Sequence, residues 1–168
     1  ANIGGGALEL VQLHANSALA LCEAGQWSMA ACKGEALAGI GDAYLEAGDL
    51  TAALEKYQEV LAALQLELGS AHIRTLAMQA KVAVTQAKLS GDLSSYEAAI
   101  KVLQTQLLMQ ELSYGSVSVE VADTLNNLAC LHNKIQANEL ALIEIERAIA
   151  IREKIQGMLS RSRFRPAR

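Results

Sequence analysis

Three cysteines, three histidines and a terminal run of arginines are the side chains with the most reactive chemistry in this sequence. Cys130 and His132 stand two residues apart, and on a helix such positions point about 200° apart, so the pair cannot close on one metal ion. Cys22, Cys32, His14 and His72 show no CxxC or comparable ligand spacing and read as packing or loop residues. An odd cysteine set of this kind argues against a disulfide framework and for a reducing, cytoplasmic compartment. There is no glycine-rich phosphate loop, nucleophile elbow or metal-spaced cluster. The sequence therefore predicts no cofactor, no metal and no enzymatic activity. Recognition chemistry remains. Asn126 and Asn127 can donate to and accept from an extended peptide backbone, or serve only as the polar side of a helix. Arg161, Arg163, Arg165 and Arg168, with Phe164 among them, can contact an acidic surface or form a solvated terminus.

The elements that must position these residues are helical. Hydrophobic residues make up 52% of the chain but aromatics only 4%, so the apolar mass is Ala, Leu, Ile and Val, which suits closely packed helices. The single proline, Pro166, leaves the preceding chain free of the strongest helix breaker. Charges interrupt every apolar stretch well before the roughly 18 residues of a membrane span, so no membrane insertion is expected. All 18 acidic residues precede Gly157, leaving an acidic body and a basic end. An acidic body disfavours broad nucleic-acid binding through phosphate neutralisation.

The helical pattern repeats. Ile40, Gly41 and Tyr44 with Ala53, Tyr57 and Val60 behind them match Leu128, Ala129 and His132 with Ala141, Ile145 and Ala148, at a constant offset of 88 residues. A weaker copy, Val84, Lys88, Ala99 and Leu103, lies between them. A period of about 44 residues with two helices per unit is the mark of an α-solenoid, whose units bury their apolar faces by stacking. After a flexible start at 1–6, helices are predicted near 7–24, 28–47, 50–68, 72–90, 95–113, 117–134 and 137–156. Gly25, Gly48, Gly69, Gly91 and Gly115 punctuate them, Ser94 and Glu97 form a capping box, and Gly157 is a stop. Short connections require antiparallel neighbours. The expected architecture is all-α: one superhelical domain over 7–157 with about seven antiparallel helices. It is built as repeats 34–69, 72–115 and 117–157 after a first helix at 7–24, and 158–168 is a basic disordered tail. Trp27 either anchors a partner or packs at the end of the stack.

These slots resemble the tetratricopeptide repeat (TPR), in which one helix carries Leu-Gly and Tyr and the next Ala and an aromatic. The long period, the stretch from Val121 to Leu131, Ala148 to Lys154, and the Leu68 to His72 connection are similar to the kinesin light chain and nephrocystin-like subfamily. That resemblance implies a concave groove lined by first helices, with asparagines gripping the backbone of an extended peptide. It places Asn126, Asn127, Cys130, Asn133 and Lys134 there. The corresponding residues of the other repeats, including Ala38, Gly39, Ala43, Val82, Ala83 and Gln86, imply an apolar, small-lined wall.

The function these readings imply is a non-catalytic scaffold or adaptor binding a protein or peptide partner. The alternative is a structural subunit of a larger cytoskeletal or ciliary assembly. An RNA-binding helical repeat is the weakest of the three, because it needs the arginine tail to supply most of the affinity.

Overall fold

The structure is a computed structural model that describes Leu13 and residues 29–163. Apart from Leu13, the expected first helix at 7–24 lies outside the described residues, as do Trp27 and the last five residues, Arg165 and Arg168 among them. The described part holds six helices and no strand: α1 (Met29–Glu46), α2 (Leu50–Leu68), α3 (Ile73–Ser90), α4 (Leu93–Tyr114), α5 (Val119–Lys134) and α6 (Asn138–Arg163).

The helices group into two compact units that divide between Gly91 and Asp92. The division falls within the expected second repeat, with α1, α2 and α3 in one packed set and α4, α5 and α6 in the other.

In the first unit Ala53, Tyr57, Val60 and Leu64 recur at helical spacing on α2 and are buried against Leu37 and Ile40 of α1 and Met78 of α3. Each such large side chain contributes roughly 1.5–3 kcal/mol by leaving water. Gly41 is required here: a Cβ on it would stand 2.5 Å from the Tyr57 ring. The second unit buries Val121, Ala122 and Leu125 of α5 against Ala148 and Ile151 of α6, with Leu107 of α4 beside them.

The corners follow from local chemistry. Asp49 accepts from the Ala52 amide at 3.0 Å and starts α2, and Ser118 accepts from Val121 at 3.2 Å and starts α5. For α4 the expected capping box of Ser94 and Glu97 is replaced. The helix begins earlier, at Leu93, and Asp92 is the cap: its carboxylate accepts from the Ser95 amide and from both serine hydroxyls. A carboxylate meets orphan amides at a helix start better than a hydroxyl because it also faces the positive end of the helix dipole. These bonds hold the Asp92 carboxyl at about 2, below its ordinary value of 3.8.

Gly157 does not stop α6, and residues 158–163 of the expected disordered tail are helical. A glycine inside a helix costs only about 1 kcal/mol relative to alanine. Met158, Leu159 and Arg161 are good helix formers, and the Ser160 hydroxyl donates to the Gln156 carbonyl at 2.9 Å.

Candidate functional site

The first unit presents α1 and α3 side by side over α2. Two ion pairs join them: Arg74 to Glu35 at 3.0 Å and Lys81 to Asp42 at 2.6 Å. Both pairs are 39 residues apart, and within each helix the partners are seven apart, so α1 and α3 run parallel and meet every second turn. Two turns rise about 10.5 Å. Between the pairs lies an open depression of about 160 Å³. Its floor is Gly34, Ala38, Val60, Leu64, Ala77 and Met78, and Glu35, Arg74 and Lys81 form its rim. A space of this size lined by apolar groups accepts an aliphatic or benzene-sized substituent.

The Asp42 end of the depression is a small polar knot. Tyr57 donates its hydroxyl to Asp42, and Lys81, besides pairing with Asp42, stands 5.3 Å from the centroid of the Tyr57 ring. Burial, then the hydrogen bond to Asp42 and the negative charges of Asp42 and Glu46, push the Tyr57 phenol far above its ordinary range. The hydroxyl therefore stays a donor. The ion pairs themselves are half-exposed, so each contributes only about 0–1 kcal/mol and can exchange with a ligand's charges.

Sequence reasoning found Ala38 of this surface and missed the rest. Gly39, Ala43, Ala83 and Gln86 do not line the depression, and Val82, expected on the wall, packs against the core. The missed signal was acids at 35 and 42 facing bases at 74 and 81 with the same seven-residue step.

In the second unit α5 carries Asn126, Asn127, Cys130, Asn133 and Lys134 on one exposed stripe, with Asp123 at its start. The opposite side of the helix buries Thr124, Leu125, Leu128, Leu131 and His132. The five residues implied by the resemblance thus share one solvent-facing surface. Cys130 is a free thiol facing out while His132, two residues on, is 5% exposed and bonded through Nδ1 to Glu144 of α6 at 2.8 Å. Their opposed directions rule out a shared ion. Thr124 donates to Gln110 of α4 at 2.7 Å in the same interior. Arg161 and Arg163 lie on the last turn of α6. Among the described residues there is no cluster of three metal-ligating side chains, and no helix is long and apolar enough to cross a membrane.

No protein-family profile matches the sequence, and no curated protein matches it. Solved structures do. The crystal structure of BtubC (BKLC) from P. vanneervenii superposes with a TM-score of 0.70 at 19% identity over 91% of this chain. The present chain spans 59% of the BtubC chain. Two structures of a putative kinesin light chain with nearly identical TPR-like repeats from Podospora anserina give TM-scores of 0.56 and 0.55 at 20% identity. They cover 84% of this chain and 68% and 69% of their own. At such identities the likeness establishes architecture, and the chain has the all-α, TPR-like helical-repeat fold seen in these kinesin light chain-like proteins.

Proposed function

We propose that the chain is a protein-interaction scaffold that binds a peptide or partner segment on the exposed faces of its first helices. The observation that carries this reading is the apolar depression between α1 and α3, flanked by two exchangeable ion pairs. An aliphatic side chain fills the floor, while Glu35, Arg74 and Lys81 meet polar groups of the residues on either side. The ion pairs are spaced about 10.5 Å apart along the helices, the reach of three extended residues. In the second unit the side-chain amides of Asn126, Asn127 and Asn133 are suited to a peptide backbone, each offering both a donor and an acceptor. Helices held by a packed core bind with little ordering cost to the receptor. A cytoskeletal setting extends the proposal, resting on the likeness to a putative kinesin light chain.

Panning a random peptide library on the chain tests it. The expected peptides carry a recurrent aliphatic anchor, lose at least tenfold in affinity when Ala38→Phe fills the depression, and lose less with the double variant Asn126→Ala and Asn127→Ala. Failure to enrich any peptide, or peptides indifferent to both variants in proteins of unchanged melting temperature, would overturn the reading. A second reading, a built-in subunit of a larger assembly, draws on a different observation: the apolar residues exposed along α6.

A further inference from the structure

The depression between α1 and α3 is bounded by two charged rungs, and its two ends differ in charge. At one end Glu35 and Arg74 form a pair and cancel. At the other, Asp42 pairs with Lys81, and Glu46 follows Asp42 by four residues, one turn further along α1 on the same face. Glu46 is exposed and has no ion pair or hydrogen bond among the described residues. Its charge is felt inside nonetheless: with that of Asp42 it raises the Tyr57 phenol, although Lys81 stands over the same ring.

Toward that end α1, α3 and the corner after α1 carry Asp42, Glu46 and Asp49 against Lys81 and Lys88, three acids to two bases. Lys88 stands a further two turns along α3 from Lys81 and makes no ion pair with Glu46, while Asp49 is occupied by the Ala52 amide at the start of α2. Because α1 and α3 run parallel, both present their carbonyl ends there, and these add negative potential. Glu46 is thus a carboxylate without a cation beside an apolar site.

The depression lies between the rungs, so its centre is roughly 5 Å short of Asp42 and about 11 Å short of Glu46 at a rise of about 1.5 Å per residue. An extended chain covers the longer distance in about three residues, at roughly 3.3 Å each. We infer that the segment bound in the depression, on the reading proposed above, is an extended peptide with an aliphatic anchor and a lysine or arginine about three residues away, on one side only, paired with Glu46. An acid at that place meets the excess negative charge and is selected against. The Glu35 end, whose charges cancel, imposes no such preference.

The test is to pan the full chain with a peptide library that fixes one leucine among randomised neighbours. Lysine and arginine together should be enriched about three- to fivefold at about the third residue from the leucine on one side, the effect of one exposed ion pair. Glu46→Gln should remove the enrichment, and Glu46→Lys should replace it with aspartate and glutamate. Glu55→Gln, which removes the same charge from an exposed site on α2, should leave it intact. Selected peptides that keep the leucine and lose affinity with Ala38→Phe, yet show no basic preference at that place, overturn this inference and leave the reading of the depression standing. A preference that survives Glu46→Gln, or falls equally with Glu55→Gln, overturns it as well, since it then comes from the general acidity of the chain. If no peptide is enriched, or the enriched ones ignore Ala38→Phe, the reading of the depression falls and this inference with it.

Discussion

The α1–α2 and α5–α6 hairpins solve one packing problem with two sets of side chains. Their corners are the same: Gly48 and Gln136 both take positive φ, 84° and 62°, and the amides of Asp49 and Ala137 both reach back five residues to Tyr44 and His132. The helix crossings differ. In the first, the Tyr57 ring lies on Gly41; in the second, the corresponding residues are Ile145, 40% exposed, and Ala129, which is buried. A large ring needs a bare backbone beneath it, and a methyl on the backbone needs a smaller neighbour. The polar tie between the helices moves as well, from Asp42 and Tyr57 to His132 and Glu144, at positions that correspond to Tyr44 and Lys56. A helical repeat therefore conserves a geometry, with the ring, the gap and the tie redistributed among its slots.

The most disruptive way to break this comparison is Gly41→Ala, which drives a methyl into the Tyr57 ring. We expect about 2–3 kcal/mol of destabilisation, read from urea unfolding. Adding Tyr57→Ile, which copies the second hairpin, should recover part of it despite the lost ring contacts. A double-mutant cycle returning simple additivity would show that the ring and the glycine are not coupled.

Next comes Glu144→Ala, which strands the buried His132 and should cost about 1–3 kcal/mol at neutral pH. If the melting temperature stays within error of wild type, the tie contributes nothing to the hairpin. A gain is expected at Gln106, whose Oε1 is buried with no hydrogen-bond partner among the described residues. Gln106→Leu removes that cost and should stabilise the protein by roughly 1 kcal/mol; a loss of stability would mean the amide is satisfied in solution.

Smaller still, Gln136→Gly makes the two corners alike. It relieves the left-handed conformation but frees the unfolded chain, for a net gain of about 0.5 kcal/mol in thermal unfolding. The smallest effect is one of pH. The Asp92 carboxyl is held at about 2 against an ordinary 3.8, so its cap stabilises the fold above pH 4 and that contribution is lost as pH falls towards 2. The stability difference between wild type and Asp92→Ala should shrink across that window and vanish below it. A difference that persists at lower pH would remove the charge from the explanation.

Much of this was legible in the sequence. The helix at Leu50–Leu68 and the hairpin corners follow from spacing and from glycines that sit where the chain must turn, as at Gly48, Gly69, Gly91 and Gly115. The small residues at the repeat slots Gly41, Ala53, Ala99, Ala129 and Ala141 are all buried. Asn126, Asn127, Cys130, Asn133 and Lys134 were singled out by the family resemblance, and α5 leaves all five exposed.

Local periodicity cannot say which faces meet. Glu35 and Arg74, or Asp42 and Lys81, are separated by 39 residues, and their pairing depends on how α3 settles on α1 and α2. The depression between them exists only because two helices from different repeats hold small residues at the same height. The division at Gly91 and Asp92, the continuation of α6 past Gly157, and the exposure of Ile145 where Tyr57 is buried were likewise decided by tertiary structure. Sequence by itself determined where helices begin, bend and repeat, because those depend on neighbours within a few residues. The tertiary structure decided which surfaces are covered and which stay exposed, because burial belongs to the whole arrangement of helices.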